Sequence, residues 1–249
     1  MENIFNSWLV SKPIAHRGLH NESFPENSIS AFKNAIDNDF CIELDVHQIE
    51  DGTIVVFHDE TLNRMTGLDG YVNQIKSKSE LKKYKLLNTN ETIPTLEEVL
   101  KFVDGKTPII VEIKDYKSQA NNPNNTFEKE LLKILKTYKG EYAIMSFNPH
   151  VLKWFKLNAP EITRGQLSCF FKDSKMKFFV KFALKRMLLN KSCSEPHFIA
   201  YKYDEIPNRF VKKYKNLPLL AWAVPSQQEY VKVIKNCDNI IFENFIPKI

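Results

Sequence analysis

The chain has no run of eighteen consecutive apolar residues, which argues against a hydrophobic membrane-spanning helix. Its opening, MENIFNSWLVSKPIAHRG, carries no basic leader and no long apolar stretch ahead of a small-residue cleavage site, so no signal peptide is expected. Cysteine is scarce. Cys41, Cys169, Cys193 and Cys237 are widely separated and form no CxxC pair. This excludes a zinc knot and speaks for free thiols in a reducing, cytoplasmic setting. There is no internal repeat, low-complexity tract or interdomain linker, so residues 1–249 are expected to form a single domain. No RNP motif, finger spacing or helix-turn-helix signal is present, and no nucleic-acid partner is expected.

What is present is the composition of a folded protein, 43% hydrophobic and 26% charged, with eighteen phenylalanines for a core. The net charge of +5 is unevenly placed. From Phe171 to Lys191 there are seven basic residues and one acidic, a surplus of +6 that leaves the rest of the chain at −1. Within it, the segment from Lys175 to Leu189, KMKFFVKFALKRMLL, repeats lysine at 177, 181 and 185 among aromatic and aliphatic residues. This pattern predicts a helix with three readings: a packed helix with a basic face, an oligomer contact, or peripheral contact with the inner face of a membrane.

Short apolar runs predict strands over 13–16, 41–46, 108–113, 142–147, 162–167, 197–200, 219–224 and 239–243. Helical patterns over 28–38, 96–103, 126–137, 149–157, 208–214 and 226–236 lie between many of them. Eight strands with intervening helices in about 250 residues suit a (β/α)8 TIM barrel, with a doubly wound α/β sheet as the alternative. A ninth strand over 54–57 follows Asp51-Gly52 too closely for a helical crossover. It is expected to return from strand 2 as a short antiparallel hairpin that sets Asp45 opposite His58. Residues 62–92 read as a polar, weakly periodic excursion, and Asn121 to Asn125 as a loop.

The residues suited to chemistry sit at strand ends. Glu43 and Asp45, two apart, share a strand face, where two carboxylates are costly unless a cation neutralises them. Glu112 can complete an oxygen-rich site for one divalent cation, Mg²⁺ or Ca²⁺. His16 and His58 form a pair for proton transfer. Arg17 can grip phosphate oxygens, Gly18 permits a sharp turn, and Lys114 shares the face of Glu112 and can neutralise phosphate. His20, His47, His150 and His197 lack equivalent support, and His47 is expected to point away from Glu43 and Asp45.

The motifs IAHRGLHNESFPENSISAFKNAI, CIELDVHQIEDGTIVVFHDETLNRMTG and IIVEIK together resemble the glycerophosphodiester phosphodiesterase family. The order of HRG, PEN, ELD, DG and VVFHD carries most of that resemblance, with weaker echoes at MSFNP, TRGQL and LAWAV. It implies a barrel enzyme that uses a divalent cation to cleave glycerophosphodiesters to glycerol 3-phosphate and an alcohol. By resemblance, the metal falls to Glu43, Asp45 and Glu112, catalysis to His16 and His58, and phosphate contact to Arg17 and Lys114. The usual mechanism lets the glycerol 2-hydroxyl attack phosphorus to give a cyclic phosphate that water opens, here with His16 as base and His58 as acid. Trp222 is expected to pack against the glycerol. The family's terminal DGIITD is replaced by Asp238-Asn239-Ile240-Ile241-Phe242-Glu243, and Pro225 removes a backbone donor after Trp222. Alternatives are a membrane-associated, lysophospholipase D-like phosphodiesterase and a catalytically silent ligand-binding barrel.

Overall fold

The computed structural model describes residues 4–87, 89–114, 124–172 and 174–248. They form two compact units, Ala15–Tyr142 on one hand and Met1–Ile14 with Ala143–Ile249 on the other. The first elements along the chain are α1 (Trp8–Ser11), β1 (Ile14–Ala15), α2 (Ile29–Asp37), β2 (Cys41–Gln48) and β3 (Ile54–Val56). After them come α3 (Asn63–Thr66), α4 (Leu96–Val103), β4 (Ile109–Ile113), α5 (Thr126–Thr137) and β5 (Tyr142–Ser146). The chain continues through α6 (Pro149–Asn158), β6 (Arg164–Ser168), α7 (Phe178–Lys185) and β7 (Phe198–Lys202). It ends with β8 (Leu219–Val224), α8 (Gln227–Val233) and β9 (Asn239–Phe242). With β3 set aside, eight strands follow one another with helical connections, the element order of the expected (β/α)8 barrel.

In the Ala15–Tyr142 unit, β2 lies between β4, which runs parallel to it, and β3, which runs antiparallel. Every residue of β2 from Cys41 to His47 is buried, as a strand covered on both faces must be. Helix α2 starts where Ser28 accepts a hydrogen bond from the Ala31 N–H, and α4 starts with a full capping box between Thr95 and Glu98. Gly18 sits at φ 77°, and a Cβ there would meet the Ala31 carbonyl carbon and Phe32 Cδ1 at 2.9 Å. Only glycine allows the first loop to lie this close to α2.

In the other unit, β5 to β9 pair in sequence and all run parallel, with a register shift between Ala221 and Val224 on β8. Asn239 at the start of β9 donates to the carbonyls of Leu9 and Lys12, tying the N-terminal turn to the last strand.

Several expectations need correction. In the hairpin, His47 pairs with Val55 and Val46 with Val56, so the register is one residue away from the expected pairing of Asp45 with His58. The cause is a three-residue loop: the Ile49 N–H donates to Thr53 O at 3.0 Å, and Gly52 takes φ 92°. The Phe57 N–H, rather than His58, meets Asp45 O at 2.9 Å. The excursion is less polar than it reads, because Leu62, Met65, Val72, Ile75, Leu81 and Leu86 pack with Ile49, Val55 and Phe57 of the hairpin and with Ile93 in one buried cluster. Its periodicity is weak because one helical turn and two 3-10 turns, Val72–Gln74 and Lys78–Lys83, each change the spacing. The helix expected over 208–214 reduces to a 3-10 turn at Val211–Tyr214, entered where the Asn208 side chain accepts from the Phe210 and Val211 N–H groups. The segment expected to be helical from Lys175 to Leu189 is helical only over Phe178–Lys185, and Met187 beyond it takes a left-handed φ of 52°. Asn121, Asn122 and Pro123 of the expected loop lie outside the described residues.

Candidate active site

Parallel pairing of β2 with β4 puts Glu112 directly beside Asp45, and Glu43 lies two residues back on the same face of β2. Glu43 and Asp45 have no solvent exposure, and Glu112 and Lys114 have almost none. Glu43, Asp45 and Glu112 can each offer an oxygen such that the three atoms lie within 4.8 Å of one another. Lys114 Nζ reaches Asp45 Oδ1 at 2.9 Å and Glu112 Oε1 at 2.6 Å. Those two oxygens are therefore ion-paired, yet among the described residues they accept no hydrogen bond of good geometry, and Glu43 Oε1 is buried with none either.

The electrostatics of the cluster are unbalanced. Burial, with Asp45 and Glu112 nearby, drives the Glu43 carboxyl well above the usual carboxylate range. Burial also raises Glu112, although Lys114 opposes it. For Asp45, burial is outweighed by the charges of Lys114, His58, Arg17 and His16, and its carboxyl is held far down. Three converging carboxyls share one lysine, which is a donor set of hard oxygens that a divalent cation fits.

Arg17 serves the site twice. Its backbone, in the left-handed region at φ 54°, donates an N–H to Glu43 Oε2 at 2.9 Å. Its guanidinium lies 3.4 Å from Asp45 Oδ2 and donates to Glu26 Oε1 at 2.8 Å. The Asn27 side chain donates to Asp45 Oδ2 at 2.9 Å, which fixes the other carboxylate oxygen.

His58 lies just past the end of β3. Its Nδ1 pairs with Asp59 Oδ1 at 2.6 Å. Arg64 donates through Nε to Asp59 Oδ2 at 2.6 Å, and its two terminal nitrogens reach both oxygens of Glu26. Arg64 and His58 hold the Asp59 carboxyl at about 2 against the effect of burial. Burial lowers the His58 imidazole to about 4, only partly offset by Asp45. His16 Nε2 lies 4.0 Å from Glu43 Oε2. His47 does not point away from the acids as expected. Positions 43, 45 and 47 share a face by the period of two, and the charges of Asp45 and Lys114 act on the buried His47 ring.

One unit thus brings His16, Arg17, Glu43, Asp45, His58, Glu112 and Lys114 together. Trp222 belongs to the other unit, where its ring meets Phe147 edge-on at 5.4 Å and its buried indole N–H finds no acceptor among the described residues. Glu243 follows β9, and its N–H donates to Val224 O at 3.0 Å. The residues that sequence reasoning passed over are Glu26, Asn27 and Arg64. The signal for the first two was the PEN tripeptide, which carries part of the family resemblance but was given no role at the site.

An imidazole steadied by a carboxylate, two cationic side chains and a buried oxygen cluster suit acid–base chemistry on an anionic substrate. Residues 16–243 match the model of the glycerophosphoryl diester phosphodiesterase family, and the chain belongs to that family. A glycerophosphodiester phosphodiesterase of Caldanaerobacter subterraneus subsp. tengcongensis is 36% identical over 162 residues, 62% of this chain and 65% of that protein. YhdW of Bacillus subtilis is 30% identical over 94% of this chain and 96% of its own length. Among solved structures, an Oleispira antarctica phosphodiesterase in complex with the product sn-glycerol-3-phosphate superposes with a TM-score of 0.74 at 22% identity. That superposition covers 94% of this chain and 93% of the other, and the likeness shows the fold, a (β/α)8 barrel.

Proposed function

We propose that the protein hydrolyses glycerophosphodiesters to glycerol 3-phosphate and an alcohol, using one divalent cation, Mg²⁺ or Ca²⁺. The observation that carries this reading is the cluster of Glu43, Asp45 and Glu112 within 4.8 Å, with Lys114 between two of them. Those three carboxylates would hold the ion, whose positive charge, when bound, favours attack at an anionic phosphorus. Arg17 and Lys114 then neutralise phosphate oxygens as charge gathers in the transition state.

Proton transfer falls to the two histidines. His58, with its pKa drawn down to about 4, is neutral at rest and free to accept the proton of the attacking hydroxyl. Asp59, on Nδ1, steadies the imidazolium that results. This favours His58 as base and His16 as the acid that protonates the departing alcohol, the reverse of the order set out from sequence. Trp222 is retained as a substrate contact on the family resemblance alone. We further read residues 1–249 as one phosphodiesterase domain, because the family match runs through both units.

The test is release of glycerol 3-phosphate from glycerophosphocholine and glycerophosphoethanolamine by the purified protein with Mg²⁺, with Ca²⁺ and after chelation. Release that requires either ion is expected. A folded, ion-loaded protein that releases none from either diester would favour the silent ligand-binding barrel.

A further inference from the structure

We propose that helix α7 and the cation-lined cleft beside it dock the protein on an anionic phospholipid surface. All of these residues lie in the unit that contains β5 to β9.

Helix α7 has no buried residue, which is unusual for so apolar a sequence as FFVKFALK. Phe178 is 69% exposed, Phe179 82% and Val180 43%, all in its first turn. The other end of the helix is anchored. Ser168 donates its hydroxyl to Leu184 O at 2.9 Å, Tyr201 donates to Lys185 O at 3.0 Å, and Tyr214 donates to Met187 O at 2.8 Å. Met187 is buried beside Ile199, Tyr201 and Phe210. The C-terminal end is therefore pinned to the strands, and the aromatic first turn stands in solvent.

Cations surround that turn. Lys175 and Lys177 are exposed just ahead of it, and Lys181 and Lys185 are half-buried along the helix. The Arg186 guanidinium stacks on the Phe182 ring at 3.8 Å, which holds its charge on the same surface. Beside the helix, Phe170, Lys185, Asn208, Arg209 and Phe210 line a cleft of about 280 Å³. Among the described residues, Lys175, Lys177, Lys181, Lys185 and Arg209 form no salt bridge. The acids near the cleft are engaged, Asp204 with Lys202 at 3.1 Å and Glu205 with the Phe170 N–H at 2.6 Å.

An anionic bilayer matches both features. Aromatic side chains insert at the headgroup boundary, while lysines meet lipid phosphates and the cleft takes one anionic headgroup. A second copy of the chain matches poorly, because it would bring a segment of seven bases and one acid against its equal. A helix of eight residues is about 12 Å long, too short to supply the roughly 800 Å² that a stable protein contact buries on each side.

The experiment is co-sedimentation of the full chain with vesicles of phosphatidylcholine alone, and with vesicles containing about one third phosphatidylglycerol, at about 0.1 M salt. Binding to the anionic vesicles only is expected. Phe178→Ser with Phe179→Ser, and separately Lys177→Glu with Lys181→Glu, should each weaken it by about tenfold or more. Circular dichroism and any turnover of soluble glycerophosphocholine should be unchanged, so the result stands apart from that of the hydrolysis test. Failure to bind, equal binding to both vesicle types, or binding untouched by both double variants would overturn the proposal. So would a dimer, seen by light scattering, that the serine variants dissociate, since it would give the helix to a second copy.

Discussion

Lys114 and Asp45 meet at 2.9 Å with almost no solvent on either side chain, and the same ammonium also serves Glu112. Removing the lysine leaves Glu112 with no paired cation and Asp45 with the Arg17 guanidinium alone. Breaking a buried pair by removing one partner costs about 3–5 kcal/mol. Lys114→Met is therefore expected to lower the urea-unfolding free energy of the metal-free protein by that order, and Mg²⁺ or Ca²⁺ should restore part of it. A variant as stable as the parent in chelator would show that Lys114 does not hold the cluster together.

The carboxyl cluster also predicts a linkage between ion and fold. An ion that binds only the native state stabilises it by about 2.7 kcal/mol at a hundredfold excess over its dissociation constant. The thermal midpoint should rise with added Mg²⁺ or Ca²⁺, and Glu43→Gln should abolish most of the rise. If melting curves overlay with and without ion, the site does not take one.

Arg64 touches Asp59 and Glu26, and through them His58 and Arg17, and is expected to act as a positioning residue. Arg64→Ala should reduce kcat by about tenfold to a hundredfold with KM little changed, less than the loss from His58→Ala, which proton-transfer catalysis puts at about 10²–10⁴. Arg64→Lys should not rescue it, because one ammonium cannot reproduce the forked contacts. Rescue by lysine would reduce the role to simple charge.

His58 gives a pH signature. Its folded pKa, about 4, lies below the ordinary 6.5, so the unfolded chain binds the proton more readily. The contribution of the neutral ring to stability is complete above about 6.5, falls as pH drops, and is gone below about 4. Unfolding of the chelated protein should therefore become easier across that window, and His58→Gln should flatten the dependence. Parallel curves for parent and variant would place the acid sensitivity elsewhere.

The four free thiols are expected to be inert in the native state. Burial raises Cys169 to about 11 and Cys237 to about 12, lifts Cys193 as well, and leaves Cys41 with no solvent contact. Alkylation near neutral pH should be slow, then complete in denaturant, because the thiolate is the reactive form. Rapid native labelling followed by mass spectrometry would contradict the packing around these residues.

Much of the site could be read from spacing, because a strand's period of two fixes which side chains share a face. Glu43 with Asp45, and Glu112 with Lys114, followed from that rule alone, and the same rule correctly applied would have included His47. The hairpin register did not follow, since one extra loop residue shifts every pair and Asp51-Gly52 does not reveal loop length. The contacts of Arg64 with Glu26 span 38 positions, and no local pattern encodes a link of that length. The excursion looked polar because its apolar residues serve short turns of differing pitch, although together they close a core.

At position 17 it is the main chain, not the side chain, that holds Glu43 Oε2. Residues that tolerate the left-handed φ of 54° bring the same amide to that spot, so exchange among them strips away a guanidinium while the strut beneath it stays in place. A saturation library at this codon would accordingly report on charge and reach, with proline and the β-branched residues exposing what the strut and its left-handed backbone are worth.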